Sequence, residues 1–267
     1  MKKLEGRINW GDYILSYSGI SDAGQIRQEN EDDFLVMEQH CLFCVADGMG
    51  GQEDGKLASR TTLESVEKIM NYLKGTEEAT MPYGLTEDML KRPLLDNLTQ
   101  FSNSQVNKKA AGRTMGSTLV AAHFTENSLD FSHVGDSRLY LWREGQLTQL
   151  TEDHSLVYEL FKLGKITEQE MNNHQMRNVI TRAIGANTTV ETTLDHLETS
   201  NGDIFLLCSD GLTNMLKSSE LIKSFETESN LSSLAESLIS KANNAGGRDN
   251  ITVLLISVQC PLSESHQ

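Results

Sequence analysis

The stretch Phe43-Cys44-Val45-Ala46-Asp47-Gly48-Met49-Gly50-Gly51 limits what this chain can fold into more than any other. Its apolar start reads as a buried strand. That strand stops on one carboxylate, and three glycines within four residues follow. Glycine lets a backbone turn sharply and lets its carbonyls approach a ligand closely. A carboxylate at a buried strand end is costly unless it is paired or holds a metal. Three further strand-like runs end at, or begin from, an aspartate beside a turn: Asp136, Asp210 and Asp249. If these acids meet, two of them ~4 Å apart repel by about 4 kcal/mol at an effective dielectric near 20. Several such pairs require cations between them.

Pattern places the other elements around this stretch. Alternation predicts strands over 12–20, 34–37, 117–124, 129–134 and 138–142, and again over 204–208 and 251–258. Apolar residues at 63, 66, 70 and 73 predict a helix over 57–73, and Leu231, Leu234, Ala235, Leu238 and Ala242 predict another. Between them, 75–84 reads as a connection. Thr86 is a good N-cap for a helix reaching Val106, which Pro93 either kinks or starts. Residues 152–173 read as polar helix and 174–202 as irregular, and Glu144-Gly145 is a hairpin turn. Strands grouped by short turns, with helices in pairs, predict an α+β fold of mainly antiparallel sheets with helix pairs on the outer faces. One domain spans 1–267, with its core at about 12–259 and a loose polar tail at 260–267.

Composition narrows the partners. The chain has 23 basic and 38 acidic side chains and a net charge of -15, which argues against nucleic acid or an anionic membrane surface. Lys2 and Lys3 precede no apolar signal region, and no run reaches membrane-span length, so a cytoplasmic chain is expected. Cys41 and Cys44 form a C-x-x-C without a second pair, and read as strand residues on opposite faces.

Oxygen ligands select hard ions, so Mg²⁺ or Mn²⁺ is expected at the acids. Two such ions roughly 3.5–4 Å apart can share a water and stabilise an in-line phosphoryl displacement. Arg27 supplies the donor fork that matches a phosphate. Competing chemistries fail on the sequence. No cysteine has an arginine six residues on, and the serine elbow G-x-S-x-G is absent. Gly50 and Gly55-Lys56 nearly match a P-loop, but Leu57 replaces the magnesium-holding hydroxyl, and Glu53 and Asp54 would face phosphate oxygens. His133 alternates within a strand as a core residue would, and His154 sits at a helix start, where capping is expected.

Seven motifs then stand in order from residue 21 to about 258. Ser21-Asp22-x-Gly24-x-x-Arg27-x-x-Asn30-Glu31-Asp32 resembles the first motif of the bacterial type-2C protein phosphatases of the metal-dependent PPM family, and Val45 to Gly51 resembles the second. Met115 to Thr118, Val134 to Tyr140, Arg177 to Gly185, Cys208 to Leu212 and Gly247 to Asn250 are similar to the rest. The resemblance implies a four-layer α-β-β-α sandwich and hydrolysis of phosphoserine and phosphothreonine in proteins by direct attack of a metal-bridging water. It implies that Asp47 bridges two metals, that the Gly48 carbonyl binds one and that Asp210 and Asp249 hold the other. Asp136, with Asp210, would hold a third ion. Glu31 and Asp32 would bind metal-ligated waters, and Arg27 the phosphate. Residues 152–185 would form a flap beside the site.

Two departures from the family pattern stand out. Met49 replaces the histidine that many eukaryotic members use as a proposed general acid, so the leaving group must be protonated from elsewhere, such as a water on the third ion. Gln175 stands where bacterial members often carry proline, which bears on the local shape of the flap. The expected partners are phosphorylated proteins and a cognate serine/threonine kinase, and the expected state is a monomer. The other reading is a phosphatase-like binding module without turnover. Retention of mutually repelling acids favours the enzyme.

Overall fold

In the computed structural model, which describes residues 1–51, 54–75 and 81–260, the chain begins with two antiparallel hairpins that go to different sheets. They are β1 (Lys2–Trp10) with β2 (Tyr13–Asp22), and β3 (Asp32–Met37) with β4 (Leu42–Gly50). Helices α1 (Asp54–Lys74), α2 (Glu87–Leu90) and α3 (Leu94–Ala110) follow. Strands β5 (Met115–Ser117), β6 (Leu119–Thr125) and β7 (Ser128–Val134) return to the sheet of β4, while β8 (Arg138–Arg143) and β9 (Gln146–Gln149) cross to the sheet of β2. The segment carrying α4 (Leu156–Lys162) and α5 (Glu168–Asn173) leads to β10 (Thr193–Glu198). The chain ends with β11 (Ile204–Cys208), α6 (Asp210–Thr213), α7 (Ser218–Thr227), α8 (Leu231–Asn244) and β12 (Ile251–Gln259).

One sheet runs β1-β2-β12-β11-β8-β9; the other runs β10-β7-β6-β4-β3, with β5 paired to β4. The alternation of β4 decides how they stack. Phe43 and Val45 point into the space between the sheets, where they meet Leu15, Phe124, Phe205 and Leu254. Leu42, Cys44 and Ala46 point the other way, against Val66 and Ile69 of α1 and Phe101 of α3. On the far side, Val253 and Leu255 of β12 pack under Leu234 and Leu238 of α8 and Phe225 of α7. Each sheet therefore buries both faces, and the four layers are α-β-β-α. Cys44 and Cys41 pack against different cores, but Cys41 is not the strand residue expected: it precedes β4 in a left-handed turn at φ 48°. Among the described residues, no helix is long and apolar enough to cross a membrane.

The local chemistry of the helix starts settles one open choice. The Thr86 hydroxyl caps the short α2, and Pro93 stands at the N-cap of α3, so the expected single helix is two. The expected strand over 117–124 is interrupted at Thr118. The Ser155 hydroxyl, not His154, caps α4 by accepting the Tyr158 N–H at 3.3 Å. Two edge strands were not legible. β1 lies ahead of the expected core start at 12, and β10 lies within the stretch read as irregular. Both are mostly exposed and held by backbone pairing to one neighbour, so burial imprints no alternation on them. The charges of β1 also suit an edge that must not pair with another chain. Residues 76–80 of the expected connection, Glu53 and the tail at 261–267 lie outside the described residues.

Phe43 sits at 0 % exposure with edge-on contacts to Tyr17 and Phe124. Phe43→Ala is expected to cost about 3–5 kcal/mol, read as a lower urea midpoint at unchanged slope. Leu4→Ala on exposed β1 should stay within about 0.5 kcal/mol. Equal effects would contradict the layering.

Candidate active site

The acids singled out in the sequence stand at one end of the sandwich, supplied by both sheets. Asp47 lies within β4, which does not stop on it as expected but runs on to Gly50 by pairing with β5, and Asp136 lies in the turn between β7 and β8. Asp210 opens α6 directly after β11, and Asp249 sits in the turn before β12. Together with Arg27, Glu31, Gly48, Met49, Thr118, Asn178 and Ile180 they line a cavity of about 260 Å³. Asp32 is directly opposite Asp47 in the β3–β4 register, an arrangement in which like charges destabilise a sheet. Its Oδ2 accepts the hydroxyls of Ser209 at 2.6 Å and Thr252 at 2.8 Å, which face each other at one end of the β11–β12 pair.

Glycine is required where the loops meet. A Cβ on Gly48 would overlap the Gly55 carbonyl oxygen at the start of α1, and one on Gly211 would overlap the carbonyl of Asn250. The two Asp-Gly pairs are thus places where a second backbone passes against the acid's own. The Gly48 N–H donates to the Glu31 carbonyl at 3.2 Å, which fixes the loop that carries Glu31 and Arg27. The Glu31 carboxyl lies over Gly55 in the first turn of α1, where the helix end favours negative charge.

Three positioning groups carried no signal in the sequence beyond their place in a motif. Thr118 exchanges hydrogen bonds with Asp47, its hydroxyl accepting the Asp47 N–H at 2.9 Å and its N–H donating to the Asp47 carbonyl at 2.8 Å. The same hydroxyl bonds Ser137, next to Asp136, at 2.7 Å. Asn250 donates to the carbonyls of Ala23 and Glu29 and accepts the Glu31 N–H at 2.8 Å, so it clamps the loop of Arg27 onto that of Asp249. Asn178 reaches the cavity from the flap. An uncharged side chain inside a loop shows no periodicity, so only the folded arrangement exposes these roles. Arg27 itself donates from Nη2 to Asp249 Oδ2 at 2.8 Å. Gln175 lies in a turn closed by the Arg177 N–H to the His174 carbonyl at 3.2 Å, formed without proline.

The electrostatics of the cavity are those of an anionic cluster short of positive charge. Burial, with Asp32, Asp210, Asp136 and Asp249 around it, holds Asp47 well above the usual carboxylate range. Burial is also the leading cause that raises Asp136 to about 8, Asp32 to about 7 and Asp210 to about 6. The Asp210 charge is among those that raise Asp47. Arg138, which acts on Asp136 and Asp210, is committed to Asp153 at 2.8 and 2.6 Å. Among the described residues, no three His, Cys, Asp or Glu side chains close on one point as a finished cage. The acids instead line an open cavity with a backbone carbonyl and room for water. That donor set fits hard divalent ions, which keep several waters, and does not fit zinc.

A protein phosphatase 2C family model matches residues 23–246, and the chain belongs to the protein phosphatase 2C family. It is 37% identical over 243 residues to the serine/threonine phosphatase stp of Listeria monocytogenes, covering 88% of this chain and 93% of that protein. Its fold matches the crystal structure of the Mycobacterium tuberculosis serine/threonine phosphatase PstP/Ppp with a TM-score of 0.79 and 34% identity, over 92% of this chain and 99% of that one. It also matches the catalytic domain of the serine/threonine protein phosphatase PstP in complex with two manganese ions, with a TM-score of 0.76 and 32% identity over 92% and 99% of the two chains.

Raised acid pKa values mean that the fold binds protons more tightly than the unfolded chain does. Stability is then lost as pH rises through the folded values of about 6 to about 8. His123 and His154, lowered to about 4 and about 3 chiefly by burial, act the other way. Their effect is complete above the ordinary imidazole value of about 6.5. The melting temperature of cation-free protein is therefore expected to fall between about pH 6.5 and 8.5, and saturating Mn²⁺ should flatten the decline. A melting temperature that rises across this window without cation would contradict the charge balance.

Proposed function

We propose that this chain is a Mg²⁺- or Mn²⁺-dependent phosphatase of phosphoserine and phosphothreonine in proteins, and that its turnover is carried by the cavity at the sandwich end. The observation that supports this best is the convergence of Asp47, Asp136, Asp210 and Asp249 from both sheets on one space that also holds Arg27. Asp47, the Gly48 carbonyl, Asp210 and Asp249 would hold two core cations, and Asp136 with Asp210 a third. When bound, such ions supply a nucleophilic water at neutral pH and neutralise charge on the phosphoryl oxygens.

The chain's own groups do the rest. Glu31, on the cavity wall, would orient water, and Asp32, which is buried opposite Asp47 and does not line the cavity, would do so through its oxygen not fixed by Ser209 and Thr252. Arg27 presents a planar fork to the phosphate once cation binding neutralises Asp249, its present partner. Thr118 holds the backbone of Asp47, and Asn250 the loop of Arg27 and Glu31, before substrate arrives. Asn178 and Ile180 bring the 152–185 flap to the mouth of the cavity, where it meets the polypeptide that carries the phosphate. Met49 offers no proton, so the leaving oxygen takes one from water. The cellular setting we propose is a cytoplasmic monomer that opposes a serine/threonine kinase.

The reading is tested with p-nitrophenyl phosphate and a phosphothreonine peptide, with Mn²⁺ and with EDTA. Turnover should require the cation. Asp210→Asn and Asp249→Asn should each lower kcat by about a hundredfold or more at unchanged circular dichroism. Near-wild-type rates for either variant would contradict the assignment. Folded, Mn²⁺-loaded protein without turnover would leave only the binding module.

A further inference from the structure

The residue before Asp136 is held from two sides. Gly135 adopts φ +102°, and a Cβ there would overlap the side chain of Thr118, the residue that braces Asp47. On its other side, both backbone groups of Gly135 are taken by one residue, His154. The His154 N–H donates to the Gly135 carbonyl at 3.0 Å, and the Gly135 N–H donates to His154 Nδ1 at 3.1 Å. With Nδ1 accepting, the ring proton lies on Nε2, which points at Thr193 Oγ1 of β10 at 3.0 Å and has Arg182 Nη1, on the returning leg of the flap, beside it at 3.3 Å. The ring stacks on His133 at 4.5 Å and 14°, and His133 Nε2 donates to the Glu152 carbonyl at 2.7 Å.

His154 is also where the two legs of the flap join. Its carbonyl accepts the Thr181 N–H at 2.8 Å; one residue on, Ser155 bridges Ile180, and the Leu156 N–H donates to the Val179 carbonyl at 2.9 Å. Asn178 and Ile180, on the returning leg, line the cavity. One residue, through its backbone and its ring, thus ties the flap, the edge strand β10 and the turn of Asp136 together. Capping does not account for this, since Ser155 caps α4.

We propose that His154 is a positioning residue. Its Nδ1 locks the Gly135 amide, which fixes the direction of the Asp136 carboxylate and couples it to the flap. The functional part rests on the reading of Asp136 as a cation-holding acid, and the test separates the two.

The two ring nitrogens can be mimicked one at a time, because asparagine places an acceptor near Nδ1 and glutamine a polar atom near Nε2. Full-length wild type, His154→Ala, His154→Gln and His154→Asn are compared by NMR amide exchange at Gly135, Mn²⁺ calorimetry and phosphothreonine-peptide kinetics. In His154→Ala and His154→Gln, exchange at Gly135 should quicken about tenfold. The weakest Mn²⁺ binding event should be lost, and kcat should fall about tenfold with KM within about twofold. His154→Asn should restore Gly135 protection and most of kcat. Unchanged Gly135 exchange in His154→Gln, or a folded His154→Asn no better than alanine, overturns the proposal. If wild type itself lacks turnover, the phosphatase reading fails, while the exchange pattern still decides whether His154 clamps Gly135.

Discussion

Repulsion among buried carboxylates is the constraint around which the rest is arranged. Asp47 faces Asp32 across a sheet and Asp210 across the gap between sheets, with Asp136 and Asp249 within electrostatic range. Burial raises the cost of ionising each one, so without cations the site holds protons it would otherwise release. A sequence that only had to fold would place apolar residues here. Keeping the acids lowers the stability of the fold, and the proposed cation site supplies a reason to keep them.

The layers offset that loss. Phe43, Phe124 and Phe205 interlock edge-on between the sheets, and α1 with α3 on one side and α7 with α8 on the other seal the outer faces. The strands that deliver the acids are therefore rigid up to their last residue. Past that point the loops are held by small polar groups: Asn250 ties the Arg27 loop to the Asp249 turn, Thr118 ties Asp47 to Ser137, and Ser209 ties Asp32 to β11. Positioning precedes binding, as electrostatic catalysis requires.

Much of this was legible in the sequence because burial leaves a periodic trace. The run at 42–46 announced a buried strand, and the regular apolar spacing of α1 and α8 announced their packed faces. Asp47 and Asp210 stood out because an acid beside glycine contradicts the apolar pattern before it, and Asp249 because it stands in a glycine-bearing turn just ahead of an apolar strand. Where burial is slight the trace disappears: β1 and β10 were invisible because an edge strand is held by its backbone. Thr118 and Asn250 were silent because hydrogen-bond clamps between distant loops have no local signature. Their motifs could be matched, but their work could not be read from residue type. His154 was read as a cap because it precedes an apolar helical run, and its contact with Gly135 across 19 positions is a property of the fold alone.

The central claim is that acids from both sheets gather hard divalent ions at the sandwich end. Anomalous diffraction from crystals soaked in Mn²⁺ tests it most directly. Two strong manganese peaks are expected within coordination distance of Asp47, the Gly48 carbonyl, Asp210 and Asp249. Peaks confined to other surface acids, with this cavity empty, would contradict it.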